Sequence, residues 1–444
     1  MSVKIGMARQ DLAAAKAPSW IISDERISAV ALYAASENSK AIWMVLDFMD
    51  FNLSNVNTLK TAVTAATGLD AEQVHILTTH NHGAGVDHAM EKLSPLCATC
   101  ALQAIASARP ASMSMAITNI DKQISYIRRI YVPEIDAATT LFYGTCEENG
   151  FDSAPHTEFI LNELAEGRLN YRGYTDTDRP YKPFPKGDPC LFAAVFHDEN
   201  GQVIGSLVRF AAHAICTYTD GIASADFPHY IRKEMEETLG GTSMFLNGPC
   251  GNIAPGFKTR DGLSARIGHY LAQSALEALK DQPQIPLTKL QDTALTVSLP
   301  VDKDILTRSV DYPAEMPEDF PSRIRYLEAF RRADEDMDFL QEKYRVGETT
   351  LKDTIDVSVG ILQLNDLTLV GFPGETFYET GEAVRQAFPD RPIVTATEHG
   401  RTVMYMPVKE QMPLGGYETV CRVTAPGAAE IMEESVKAKL KQLF

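Results

Sequence analysis

Four of the ten histidines in the 444-residue chain fall between His75 and His88. The sharpest group is Thr79-His80-Asn81-His82-Gly83-Ala84-Gly85. An apolar run, Val74–Thr79, ends there, and two imidazoles two residues apart would leave a strand on the same face. His-x-His at a strand end can bind zinc, or pair one ligand with one acid/base group. The plainer reading is two hydrogen-bonded histidines in a turn. His213 ends a second apolar run, Val203–Ala212, and so takes the same kind of position. Alone, it reads as a buried structural histidine. Shortly after it, Asp226 in Ser224-Ala225-Asp226-Phe227-Pro228 could orient a ligating histidine or cap the following helix. Glu375, in Gly371-Phe372-Pro373-Gly374-Glu375-Thr376, brings a carboxylate to a strand-to-helix turn. It could serve a metal or simply complement the helix dipole.

Other motifs carry less. The segment Gly248–Gly256 is glycine-rich but lacks the Gly-Lys-Ser/Thr of a phosphate-binding loop. A serine triad has no support, because no Gly-x-Ser-x-Gly elbow occurs. Cys97-x-x-Cys100 has no second pair at zinc-finger spacing, so it reads as two buried thiols on a helix.

The elements that must position these residues mix strands and helices without strict βαβ alternation. Strands are expected at Ile27–Ala34, Ala41–Leu46, Ser112–Ala116, Ile124–Tyr131, Leu191–His197, Ser243–Leu246, Leu290–Leu299, Ser358–Leu364, Leu367–Val370 and Ile393–Thr395. Helices are expected at Asn57–Thr67, Leu93–Ser107, Tyr230–Leu239, Leu263–Leu279, from Glu375 to Ala387, and at Ala428–Leu443. Asp198-Glu199-Asn200-Gly201 is a hairpin signal. Gly167–Pro189, with Tyr171, Arg172, Tyr174 and Tyr181, reads as a long loop that could wall a substrate pocket. Residues 300–350 read as an inserted helical arm. The pattern predicts an α/β (α+β) protein of layered mixed β-sheets flanked by helices, organised as one domain over 1–444.

Composition sets bounds on partners. Lys and Arg number 41 against 59 Asp and Glu, a formal charge of −18. An anionic surface without a basic run argues against nucleic acid. No stretch has the ~20 apolar residues of a membrane span, and no stable membrane association is expected. Seven cysteines without a secretory pattern predict free thiols in a cytoplasmic protein.

Taken in order, these pieces resemble the catalytic domain of the neutral/alkaline non-lysosomal ceramidase family. Ile5-Gly6-Met7-Ala8 is similar to its first strand, and Thr79-His80-Asn81-His82-Gly83 to its Thr-His-Thr-His-Ser turn. Phe210-Ala211-Ala212-His213 resembles the strand carrying its second histidine. Ser224–Pro228, and Phe245 through Pro255, resemble its next loop and its Gly-Asp-x-Ser-Pro segment. Phe372-Pro373-Gly374-Glu375 resembles its Pro-Gly-Glu turn. Tyr405-Met406-Pro407, with Tyr417-Glu418 twelve positions on, resembles its paired-tyrosine segment. The resemblance implies a Zn²⁺ held by His80, His213, Glu375 and Tyr405. His82, Tyr417 and Arg128, or its neighbour Arg129, would then face the scissile bond. It implies metal-activated water attacking an amide, ester or lactone. Two departures stand out: Asn252 replaces the family's Asp, and Ala254 replaces its Ser. The family's C-terminal β-sandwich is not matched. The expected substrate is therefore a small soluble acyl compound rather than ceramide. The rival readings are a lyase or isomerase on the same metal, and a non-catalytic, zinc-stabilised binding protein.

Overall fold

In the computed structural model, the described residues are 2–16, 19–84, 89–122, 124–132, 137–140, 187–217, 221–256, 262–303 and 353–444. Residues 304–352, nearly all of the expected helical arm, lie outside them. So do residues 167–186 of the expected wall loop.

Three sheets carry the molecule. The first is built from β1 (Lys4–Asp11), β2 (Ser28–Ala35), β3 (Lys40–Leu46) and β4 (Val74–Thr78), in the order β4-β3-β2-β1. The β3/β4 pair is parallel and the others are antiparallel. The second sheet contains β5 (Ser112–Asn119), β6 (Cys190–His197), β7 (Val203–Phe210) and β8 (Thr242–Asn247), in that order. The third contains β9 (Leu290–Pro300), β10 (Thr354–Leu364), β11 (Leu367–Gly371) and β12 (Ile393–Ala396). In the second and third sheets the last pair is parallel. The expected mixed, layered α/β architecture is what the chain adopts.

All three sheets feed one central core. Trp43 of β3, Phe192 and Phe196 of β6, Leu246 of β8 and Leu369 of β11 pack in a single cluster. Helices cover the outer faces. α1 (Leu53–Thr67) and α2 (Met90–Ala106) cover the first sheet. α3 (Asp226–Leu239) and α4 (Leu263–Leu279) cover the second. α5 (Tyr378–Gln386) and, after a short helix α6 (Tyr417–Val420), α7 (Ala428–Leu443) complete the layer, with α5 and α7 on the third. This explains why β2 and β3 read as nearly unbroken apolar runs: sheets covered on both faces have no wet side.

Helix boundaries follow local chemistry. α1 starts a turn before the expected Asn57, because Asn52 caps it by accepting a hydrogen bond from Asn55 N at 2.9 Å. Gly68 closes it at φ 72°. α3 likewise starts before Tyr230, since Pro228 fits a first helical turn. Cys97 and Cys100 lie on the buried face of α2 as free thiols, and burial pushes Cys100 up to about 12.

The first and second layers are pinned by a buried ion pair. Asp47, at the end of β3, accepts from Arg232 of α3 at 2.9 and 2.6 Å. The Ser28 backbone N–H and hydroxyl also donate to it, at 2.8 and 3.0 Å. An Asp47→Ala variant leaves a buried guanidinium without its anion. The expected loss is about 3–5 kcal/mol of unfolding free energy, read from urea denaturation; a loss under about 1 kcal/mol would show that the pair is dispensable.

Candidate metal centre

The first histidine pair sits just past β4. His80 is not in the strand: its φ is 54°, in the left-handed region. His82 opens a turn of 3-10 helix, His82–Ala84. The two rings therefore converge because the backbone turns, not because strand alternation aligns them. Their side-chain Nε2 atoms are 3.3 Å apart. The turn is held from several sides. Asn81 donates to Ser224 O and accepts from Gly83 N, and His82 N donates to Ala214 O at 3.2 Å.

His213 lies three residues past the end of β7. Asn247, ending β8, ties its segment to that of His80: its amide donates to Thr79 O and Ala212 O, both at 2.9 Å. His80, His82 and His213 form a group whose ligating atoms all lie within 4.8 Å of one another. Glu375 reaches the same point from the third layer. It lies on a short strand, Glu375–Thr376, three residues ahead of α5 rather than in its first turn. That strand pairs in parallel with Tyr405–Met406, making Glu375 and Tyr405 direct partners. Gly251 permits the approach of the neighbouring loop, since a Cβ there would lie 2.3 Å from Glu375 O.

Hydrogen bonding defines which ring nitrogens face inward. His213 Nδ1 lies 2.8 Å from Ile253 O, and His80 Nδ1 lies 3.2 Å from Met49 O. A carbonyl only accepts, so each Nδ1 carries the proton. That leaves Nε2 of both rings aimed at Glu375 Oε2, at 3.1 and 3.2 Å. Two imidazole Nε2 atoms facing one carboxylate oxygen in the interior is an arrangement that calls for a cation, and a proton on His80 Nε2 meets that call when no metal is bound. Donors bound to one tetrahedral Zn²⁺ at about 2.0–2.1 Å lie roughly 3.3 Å apart, so the residues fit the ion.

The electrostatics agree. Burial opposes charge on His80, yet Glu375 and then Glu398 lift it to about 9. Burial, and then Arg128, lower His213 to about 4. Burial raises Glu375, but His80 and His213 outweigh it and hold its carboxyl well below the usual range. Glu398 was not singled out by sequence. Its Oε1 lies 3.3 Å from His80 Nδ1, is buried and has no hydrogen-bond partner. Burial first, then Glu375, push its carboxyl well above the usual range although His80 opposes this. Its left-handed φ of 57° left no mark in the sequence.

Arg128 and Arg129 separate clearly. Arg128 donates to Tyr405 Oη at 2.8 Å, to Gly251 O at 3.1 Å and to Glu418 at 2.7 Å. Arg129 points to Glu418, Gln411 and Gly415. The Tyr417 ring stacks edge-on to Tyr405 at 5.4 Å. The structure thus gathers His80, His82, His213, Glu375, Tyr405, Arg128 and Tyr417 in one region. Asp226 does not join them. Its carboxylate accepts from Thr217 N at 2.8 Å and from Phe227 N, and burial raises it to about 6. Neither the histidine-orienting role nor a simple cap describes it.

The two departures from the family pattern have structural settings. Ala254 is buried in a short strand, Ile253–Pro255, paired with Ser125–Ile127. Asn252 links three segments. Its amide donates to Glu379 at 2.8 Å, its side-chain oxygen accepts from Tyr378 N at 3.1 Å, and its carbonyl accepts from Arg128 N at 2.9 Å.

No family model matches the sequence, and no curated protein matches it. Solved structures do. The neutral ceramidase from Pseudomonas aeruginosa matches 100% of this chain and 75% of its own length, with a TM-score of 0.66 and 15% identity. A structure described as ceramidase complexed with C2 matches 100% of this chain and 76% of its own, again at TM-score 0.66 and 15% identity. The chain therefore has the fold of the neutral ceramidase structures, as the motif order implied.

Asn252→Asp tests the first departure. It removes the donor to Glu379 and sets a buried carboxyl group against the half-buried one of Glu379. The expected cost is about 1–3 kcal/mol at pH 7, relieved by adding Glu379→Gln or by lowering the pH until one carboxyl is protonated. An unchanged unfolding midpoint would show that Asn252 does not depend on its amide.

Proposed function

We propose that the chain is a zinc-dependent hydrolase of an amide, or of a related ester or lactone, in a small soluble acyl compound. The observation that carries this is the inward-facing donor set, two imidazole Nε2 atoms and one carboxylate oxygen converging in a buried site. The likeness to neutral ceramidase structures supports the reaction class. His80, His213, Glu375 and Tyr405 would hold the ion. When bound, Zn²⁺ supplies a Lewis acid that polarises a carbonyl and brings the pKa of water from 15.7 to about 7.

The chain's own residues do the rest. Glu375 and Tyr405 are neighbours in a paired strand, so they are held by backbone rather than by flexible side chains alone. Arg128, fixed by Glu418, presents a permanent positive charge beside the Tyr405 hydroxyl. It is suited to oppose negative charge developing on a carbonyl oxygen. Tyr417, half-buried, offers a hydroxyl to the same end. His82 is half-buried while His80 and His213 are buried. It is thus the imidazole placed to meet substrate and give a proton to the leaving group. Ala254 offers no hydroxyl, which favours a substrate different from the family's own.

The expected metal content is about one Zn²⁺ per chain. His80→Ala and His213→Ala should lose it. His82→Ala should keep it while losing turnover of short N-acyl, ester and lactone substrates by about 10²–10⁴-fold. Binding to the metal-free protein at pH 7 should release at least one proton, because His80, lifted to about 9, must give up its charge. Calorimetry in buffers of different ionisation enthalpy reads this directly. An empty site in His82→Ala would make His82 a ligand. Robust turnover of long-chain ceramide would widen the substrate class.

A further inference from the structure

Apart from the candidate centre, a chain of polar groups crosses the core between the first and third sheets. Asp292 Oδ2 of β9 lies 3.1 Å from Nε2 of His75 in β4. His75 Nδ1 lies 2.9 Å from His399 Nε2. His399 Nδ1 lies 2.9 Å from Ser358 O of β10. Both imidazoles are fully buried beside Trp43, whose ring centroid is 5.1 Å from that of His75. Gly360 makes room for them: a Cβ there would lie 2.7 Å from His75 Nδ1 and 2.8 Å from His399 Nε2.

Counting protons gives a definite answer. Each of the three contacts joins two atoms that carry lone pairs, so each requires one proton. Ser358 O supplies none. Two neutral imidazoles supply two. The third proton is either on the rings, opposite an Asp292 carboxylate, or on the Asp292 carboxyl itself. Both arrangements leave the triad with no net charge, which suits a dry interior. Among the neighbouring elements, charge reaches the triad from α1. β3 presents Trp43, while β10 and β11 present Gly360 and Gly371. α1 presents Lys60, which interacts with Asp292 and Glu72 and donates to Ala71 O.

We propose that Asp292, His75 and His399 form a proton-holding latch, which takes up one proton on folding and fastens the segment 397–404 to β4. This segment joins β12 to Tyr405 and carries Glu398 against His80. Its other ties to β4 are all backbone: Thr78 N donates to Glu398 O at 3.2 Å, His399 bridges Leu77, and Gly400 N donates to Ile76 O at 2.8 Å, while Thr397, His399 and Thr402 N donate to Asn247, Phe372 and Phe51 O. Burial, and then the charge of His75, hold His399 well below the ordinary imidazole value. The third proton therefore belongs to the His75–Asp292 side, with His399 neutral and donating from Nδ1.

The sign follows from the count. Above about pH 6.5 the unfolded chain has an ionised Asp292 and two neutral imidazoles, hence two protons. The folded triad has three. Folding takes up a proton, so stability falls as pH rises. The triad alone raises the unfolding constant about tenfold per pH unit, until the latch itself loses its proton.

Asp292→Asn is the decisive variant. Its amide can donate to His75 Nε2, after which two neutral imidazoles complete the chain with no extra proton. Denaturant unfolding of the protein and of Asp292→Asn between pH 7 and 9 should differ in slope by one proton. Amide protection at His399 and Gly400 should fall with pH in the parent and stay level in the variant. Equal slopes, or equal protection profiles, would overturn the latch. Nitrogen-15 shifts at pH 7 check the same point without a variant. They should place a proton on His399 Nδ1 and on His75 Nδ1; a bare His399 Nδ1 would overturn it.

Discussion

Everything around the candidate centre depends on one electrostatic constraint. Glu375 Oε2 must stay ionised in the interior while two imidazole nitrogens face it at 3.1 and 3.2 Å. An isolated buried carboxylate costs many kcal/mol in a low dielectric. The fold meets that cost by convergence. One histidine comes from the first layer, one from the second, and the carboxylate and phenol from paired short strands beside the third. No single element could deliver all four groups. This is why short cross-layer ties recur here: Asn247 between the two histidine segments, Gly251 under Glu375, and Asn252 between α5 and the Arg128 segment.

Rigidity is supplied separately from chemistry. Glu418 is fully buried and receives both Arg128 and Arg129. One carboxylate thus neutralises one guanidinium and fixes the direction of two. Arg128 is left with a nitrogen for Tyr405, while Arg129 anchors the turn at Gly415. Because Glu418 follows Tyr417 in α6, the same carboxylate sets the position of the second tyrosine. Arginine suits this role better than lysine, since its planar fork can serve several acceptors at once.

Much of this was legible in sequence, for identifiable reasons. Long amphipathic or apolar runs have a period, so α4 and α7 fall at Leu263–Leu279 and Ala428–Leu443 as expected. The histidine turn was visible because imidazoles are scarce and glycines followed them. What failed was the reason for their alignment. A left-handed His80 cannot be read from a strand pattern, because Asn81 and the partner segments fix that dihedral through tertiary hydrogen bonds. Tyr405 emerged from motif order alone; tyrosine carries no local mark of a ligand. Glu398, His399 and Asp292 were missed because their partners lie far away in sequence, His399 and His75 being 324 residues apart.

The two buried histidine groups answer the same physical problem in opposite ways. At His80 and His213, both Nδ1 protons are spent on carbonyls, so the inward nitrogens converge on Glu375 and call for a cation, either a proton on His80 or a metal. At His75 and His399, the inward contact is nitrogen to nitrogen, and a proton fills the place a metal would take. The difference lies in the third partner. Glu375 faces both imidazoles through one oxygen, so three donors meet at a point. Asp292 touches only the far side of His75, so the donors lie in a line. A point of convergence suits an ion with several bonds, whereas a line suits hydrogen bonds shared pairwise. Glu398 and His399, adjacent in sequence, bring the two arrangements within one residue of each other.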